Sequence, residues 1–114
     1  MDALEMTLLY DYYGDLLTQR QRLCFDMRHN QDLTLGEIAE ELEISRQGVH
    51  DNLSRAEALL RNMEEKTGFV RRDLTIRAAM MTISESAQKL QMHSDDSVTA
   101  LASKILLAVR DLEE

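Results

Sequence analysis

This sequence predicts an all-α protein, a helix-turn-helix head followed by a C-terminal helical hairpin. Three observations lead there. The 114 residues contain no Pro, no Trp and only four Gly, while Leu, Met, Ala, Glu, Gln and Arg, which cost least in a helix, are plentiful. Apolar residues recur at steps of three and four along most of the chain. Two Thr-x-x-Gln/Glu stretches, "TQRQ" and "TLGE", supply reciprocal acceptors for the free N–H groups that open a helix.

The elements follow in order. A first helix is expected from Asp2 to Tyr13, with Leu4, Leu8, Leu9 and Tyr12 or Tyr13 inward and Gly14 as its stop. Thr18 and Gln21 cap the second, whose buried stripe is read as Leu23, Cys24 and Met27. His29–Leu33 is polar and reads as a loop. Thr34 and Glu37 cap the third, with Ile38, Ala39 and Leu42 inward. After a short turn, Glu43–Ile44, Ser45 opens a long fourth helix carrying Val49, Leu53, Ala56, Leu60 and Met63 on one face, closed by Gly68. Arg71 and Arg72 are expected in the connection that follows.

The last third reads as two helices. Ile76, Met80, Ile83, Ala87 and Leu90 form one heptad seam, and Val98, Leu101, Ile105, Val109 and Leu112 a second. Between them "MHSDDS" is a turn in which Ser94 is the expected N-cap. The domain reading is therefore 1–68 for the head and 69–114 for the hairpin, the hairpin packing on the head or in a homodimer.

Charge narrows the function. The formal net charge is -8. Residues 1–66 hold seven Lys/Arg and fourteen Asp/Glu, while residues 67–114 hold six and seven. The half with the helix-turn-helix is the more acidic, which works against tight binding to phosphates. No apolar run approaches the length of a membrane span, and the acidic start, "MDALEMTLLYDYYGD", is not a secretory signal. One cysteine, Cys24, cannot form an internal disulfide and fits the core of a protein in a reduced cytoplasm. His29, His50 and His93 have no second ligand at helical spacing, so no metal site is expected. Cys24 has no His/Asp setting, and the glycines are too scattered for a phosphate loop. No catalytic residue and no cofactor is therefore expected. The three tyrosines near the start and the seven methionines fit a core and its rim, although tyrosines also stack on bases.

The motif itself is constrained. Ala39 is the small residue where the two helices cross, Ile44 the apolar residue of the turn, and Val49 the anchor of the second helix. Glu43 stands where many such turns have Gly. A glutamate in the left-handed conformation costs on the order of 1 kcal/mol, which leaves an altered turn as an alternative. With Val49 inward, Gln47, Asp51, Ser54 and Ala58 point outward, flanked by Arg46, His50 and Arg55. As a nucleic-acid reader, Gln47 would bond adenine, Arg46 and Arg55 would reach guanine or phosphate, and His50 would add charge when protonated. Asp51 sits in the middle of that face as an opposing charge. The other reading is a helix-turn-helix kept only as a packing unit.

"TLGEIAEELEISRQGVHDNLSRAEALL" is similar to the helix-turn-helix in the fourth conserved region of bacterial sigma factors, through Val49, Leu53, Arg55 and Ala56. Upstream, "LLYDYYGDLLTQRQR" resembles the opening signature of the YlxM family of small bacterial proteins. The resemblance covers about residues 4–70; the last two helices are less acidic than it leads one to expect. It implies a non-enzymatic, cytoplasmic regulatory protein. Genes of this family tend to lie beside those for the signal recognition particle GTPase and its receptor. The implied partners are therefore particle components, protein or RNA, while the motif implies DNA. A DNA-binding transcription regulator and a plain dimerisation module are the alternatives.

Overall fold

A computed structural model describes residues 3–113 as six α-helices and one 3-10 turn, with no strand among the described residues. They divide into two compact units, Met1–Val70 and Arg71–Glu114.

The first unit is organised by α4 (Arg46–Thr67). Its stripe of Val49, Leu53, Ala56 and Leu60 is buried, with Met63 partly so. Three shorter helices, α1 (Ala3–Tyr13), α2 (Gln19–His29) and α3 (Leu35–Leu42), all pack against that stripe. Asp2, the expected start of the first helix, lies outside the described residues. α1 ends at Tyr13 as expected, and Gly14 opens the 3-10 turn Gly14–Leu16. Its buried line differs, being Met6, Leu9 and Tyr13, while Leu4 is exposed. Nearly every side of this helix carries an apolar residue, so spacing alone does not fix which side turns inward.

In α2 the expected stripe is also shifted. Cys24 is buried and Met27 packs against the core, but Leu23 is exposed and Phe25 is fully buried in its place. The Phe25 ring stacks on Tyr10, centroids 4.5 Å apart, and on His29 at 4.1 Å. That second stack belongs to the last turn of α2, so His29 is helical and not the first residue of a loop.

Local hydrogen bonding sets the helix ends. Thr18 Oγ1 accepts from the Gln21 N–H at 3.2 Å, and Gln21 Oε1 accepts from the Thr18 N–H at 2.9 Å. Thr34 and Glu37 repeat the arrangement, both bonds at 3.1 Å. Glu43 adopts the left-handed conformation, φ 58° and ψ 44°. The Ile44 N–H then reaches Ala39 O at 3.1 Å and the Glu43 N–H reaches Glu40 O at 3.4 Å. That is the Schellman closure a glycine would give, so the turn is regular despite its glutamate. Ser45 Oγ caps α4 by accepting from the Gly48 N–H at 2.9 Å. At the far end Gly68, φ 63°, donates to Glu64 O at 2.8 Å and ends the helix.

A polar knot sits beside that glycine. The Tyr13 hydroxyl donates to Glu64 Oε1 at 2.7 Å and lies 2.6 Å from Thr67 Oγ1. Glu64 Oε1 also accepts from the Val70 N–H at 3.1 Å, and Thr67 Oγ1 from the Phe69 N–H at 3.3 Å. Burial pushes the Tyr13 hydroxyl above its ordinary range, with the neighbouring Glu64 adding to the effect and the Thr67 hydroxyl opposing it.

The second unit comprises α5 (Phe69–Leu90), whose first two residues still belong to the head, and α6 (Asp96–Glu113). α5 starts directly after Gly68, so Arg71 and Arg72 are helical and not part of a connection. The helices run antiparallel. Gln91 Nε2 donates to Ser103 Oγ at 3.1 Å near the turn, and at the other end one open cleft brings Leu112 and Glu113 beside Asp73, Arg77 and Met80. The seams are only partly those expected. Ala87 and Val109 are buried and Met80 and Val98 half-buried, but Ile76, Ile83, Leu90, Leu101, Ile105 and Leu112 are exposed. Ala102 is buried and Leu106 half-buried. Among the described residues the ones buried in this pair are small, two alanines and a valine, while most of its large apolar residues stay exposed. The cap is Asp95, not Ser94. Asp95 Oδ1 accepts from the Ser97 N–H at 2.8 Å and the Ser97 hydroxyl at 2.7 Å, because Asp95 directly precedes the first helical residue.

Candidate nucleic-acid interface

Because Val49 and Leu53 are pinned inward, α4 turns a defined face to solvent. Arg46, Gln47, His50, Asp51, Ser54, Arg55 and Ala58 are all exposed on it. Ser45 and the Glu43 turn fix where that face begins, and α3 packs across its inner side. Gln47, Asp51, Ser54 and Ala58 make the central line at steps of four and three. Arg46 and His50 flank it on one side and Arg55 on the other.

The polar groups on this face partly satisfy one another. Gln47 Nε2 donates to Asp51 Oδ1 at 3.0 Å, an i,i+4 pair along the helix. His50 Nδ1 lies 3.9 Å from the same oxygen, a contact that is ionic only when the imidazole is protonated. Arg46 folds back over the first turn of α3. A Cβ at Gly36 would come within 2.9 Å of its Nη2, so the missing side chain at Gly36 makes room for that guanidinium. Arg46 and Arg55 have no ion-pair partner among the described residues.

The wider charge pattern is acidic. The head has seven cations, and four are engaged inside it. Arg20 donates to Leu42 O, Arg28 to Leu33 O, Arg22 pairs with Asp15 at 3.6 Å and Arg61 with Glu57 at 3.5 Å. Arg46, Arg55 and Lys66 are left. Glu40 and Glu41 are exposed on α3 beside Glu37, whose carboxylate is used in its capping box. The four residues expected to read nucleic acid thus lie on one helix face, with Arg46 and Arg55 on opposite flanks of a central aspartate. Spacing along the sequence placed them; the Gln47–Asp51 bond and the Arg46–Gly36 approach went unread. A Gln and an Asp four apart on an exposed helix is the signal that points to the first.

The remaining chemistry-bearing residues lie elsewhere. His29 Nε2 is 3.3 Å from Glu57 Oε1, and His93 Nδ1 accepts from the Asp95 N–H at 3.0 Å. Cys24 is buried; burial pushes its thiol up, opposed in part by the charge of Arg20. Among the described residues, no group of three His, Cys, Asp or Glu is arranged to hold a metal ion, and no helix is long and apolar enough to cross a membrane.

Known proteins share this chain's pattern along most of its length. A family described as "Putative helix-turn-helix protein, YlxM / p13 like" matches residues 1–100. A UPF0122 protein of Thermoanaerobacter sp. (strain X514) is 43% identical over 114 residues, 99% of this chain and 95% of its own length. Similar proteins of Acetivibrio thermocellus and Halalkalibacterium halodurans are 42% and 39% identical, over 94% and 98% of this chain and 89% and 96% of their own lengths. With a helix-turn-helix in place and relatives matched nearly end to end, the chain belongs to the UPF0122 family of YlxM/p13-like proteins.

Proposed function

We propose that this protein is a non-enzymatic regulatory adaptor of the signal recognition particle pathway, and that its helix-turn-helix head docks a protein or RNA component of the particle. One observation carries the reading away from duplex DNA: Asp51 sits between Arg46 and Arg55 and takes the hydrogen bond that Gln47 would offer a base. Affinity for duplex DNA rests on neutralising phosphates, and three unpaired cations in an acidic head supply little of it. The pathway comes from the resemblance to YlxM proteins, and the cytoplasm is the compartment that goes with it.

A second reading is a DNA-binding transcription regulator using Arg46, Gln47, His50 and Arg55. The regular turn at Glu43 and the unpaired guanidinium of Arg55 favour it.

Fluorescence anisotropy with duplex DNA, particle RNA and the particle GTPase, at about 50 and 200 mM salt, separates the two. Binding to the RNA or the GTPase, with DNA bound weakly, supports the adaptor. Tight DNA binding that Arg46→Ala and Arg55→Ala weaken, and Asp51→Asn strengthens several-fold, supports the regulator. Binding to none of the three sinks both.

A further inference from the structure

We infer that one face of the α5–α6 hairpin is a self-association surface and that its occupant is the same face of a second copy of this chain. The inference does not depend on what α4 binds. Of the large apolar residues exposed on the two helices, six line one face: Ile76, Ile83 and Leu90 on α5, and Leu101, Ile105 and Leu112 on α6. On α5 they repeat every seven residues. On α6, with the exposed Ala108, they step by four, three and four, the spacing of a helix–helix seam.

The two stripes share one side of the hairpin. On α5 the line turned inward is Met80, Ser84 and Ala87, and on α6 it is Ala102, Leu106 and Val109. At the α-helical repeat, each stripe lies roughly a quarter turn from its own inward line, in the same rotational sense. For antiparallel helices, equal-sense offsets fall on the same side.

The area fits such a contact. The six residues are between 39% and 74% exposed, together roughly 600 Å² per copy, the upper end of what a monomer ordinarily leaves in one patch. Two copies would bury about 1,200 Å², the lower bound for a specific interface. The hairpin also needs the cover. Of residues 71–114 only Ala87, Ala102 and Val109 are buried among the described ones, a core too small to hold two long helices together.

Charge selects a second copy as the occupant. On the rim of the α6 stripe stand Lys104 and Asp111, seven residues apart, exposed and with no ion-pair partner among the described residues. In an antiparallel pairing of two α6 helices centred between Ile105 and Ala108, Lys104 of one copy stands opposite Asp111 of the other, twice over by symmetry.

Sedimentation velocity of the full chain, from about 1 to 100 µM, tests this. A concentration-dependent dimer is expected. Ile83→Asp and Leu101→Asp should weaken it by about tenfold or more, whereas Met81→Asp and Leu107→Asp, also exposed but off the face, should not. Lys104→Asp or Asp111→Lys alone should weaken the dimer, and the two together should restore it. The charge swap leaves the apolar side chains in place, so it decides the matter even if Ile83→Asp unfolds the hairpin by circular dichroism. A monomer throughout the range, equal losses on and off the face, or a double swap weaker than either single one would overturn the inference.

Discussion

The head and the hairpin are made of similar amphipathic helices, but they end in different states. In the head, Phe25, Ile38, Val49, Leu60 and Cys24 are fully enclosed. The hairpin is nearly two thirds as long, yet among its described residues only two alanines and a valine are buried. The difference lies in what surrounds each helix. α4 has three helices around it, so both shoulders of its stripe are covered. α5 and α6 are a pair, and a pair covers only the line where the two helices touch. Amphipathic spacing therefore states how much apolar surface a helix brings, while the number of neighbours decides how much of it is removed from water.

Several substitutions test that contrast. The largest effect is expected for Phe25→Ala, which empties an enclosed site stacked on Tyr10 and His29. It should cost about 3–5 kcal/mol in urea denaturation. Ile83→Ala, measured at a concentration where the chain is monomeric, should cost about 0.5 kcal/mol or less. Comparable losses at the two sites would erase the contrast.

At the boundary, Gly68→Ala meets nothing within 4 Å but keeps a φ of 63°. Backbone strain alone then predicts a loss of about 1 kcal/mol in thermal or urea denaturation. Glu43→Gly has the opposite sign. Relief of the left-handed glutamate, less the entropy a glycine adds to the unfolded chain, should stabilise the head by roughly 0.5 kcal/mol, read as a higher urea midpoint.

The smallest effect concerns acid. The side-chain and backbone hydrogen bonds from Ser97, followed by the Val98 N–H, hold the Asp95 carboxyl below its ordinary value of 3.8. The folded value is thus the depressed one. Its contribution is complete above the unfolded value and is lost as pH falls through the folded one. Helical signal followed by circular dichroism below about pH 4 should fall less steeply in Asp95→Ala than in the parent chain.

What the sequence made legible was the local chemistry. Both capping boxes, the Ser45 cap and the Gly68 stop rest on contacts within four residues, and all four form as expected. The α4 stripe was legible because its polar face is unambiguous. Phases were missed where the apolar pattern is broad. α1 offers Leu4 and Met6, and α2 offers Leu23 and Phe25, and only the position of α4 chooses between them. Asp95 displaced Ser94 because a cap belongs to the residue just before the helix, and Ser94, Asp95 and Asp96 all carry side chains able to cap, so the sequence leaves the exact start open. On the α4 face the exposed residues were legible, because Val49 fixes the rotation. Their mutual bonds were not, since they depend on which rotamers the side chains adopt.

Cys24 has a practical consequence. It is the chain's only thiol, wholly enclosed, and burial pushes it toward the protonated, unreactive form. A disulfide-exchange reagent therefore reaches it only when the head opens, and the labelling rate becomes a clock for that opening. The clock sits in the head, so excess reagent can time how often the head breathes while the hairpin is diluted, mutated or paired.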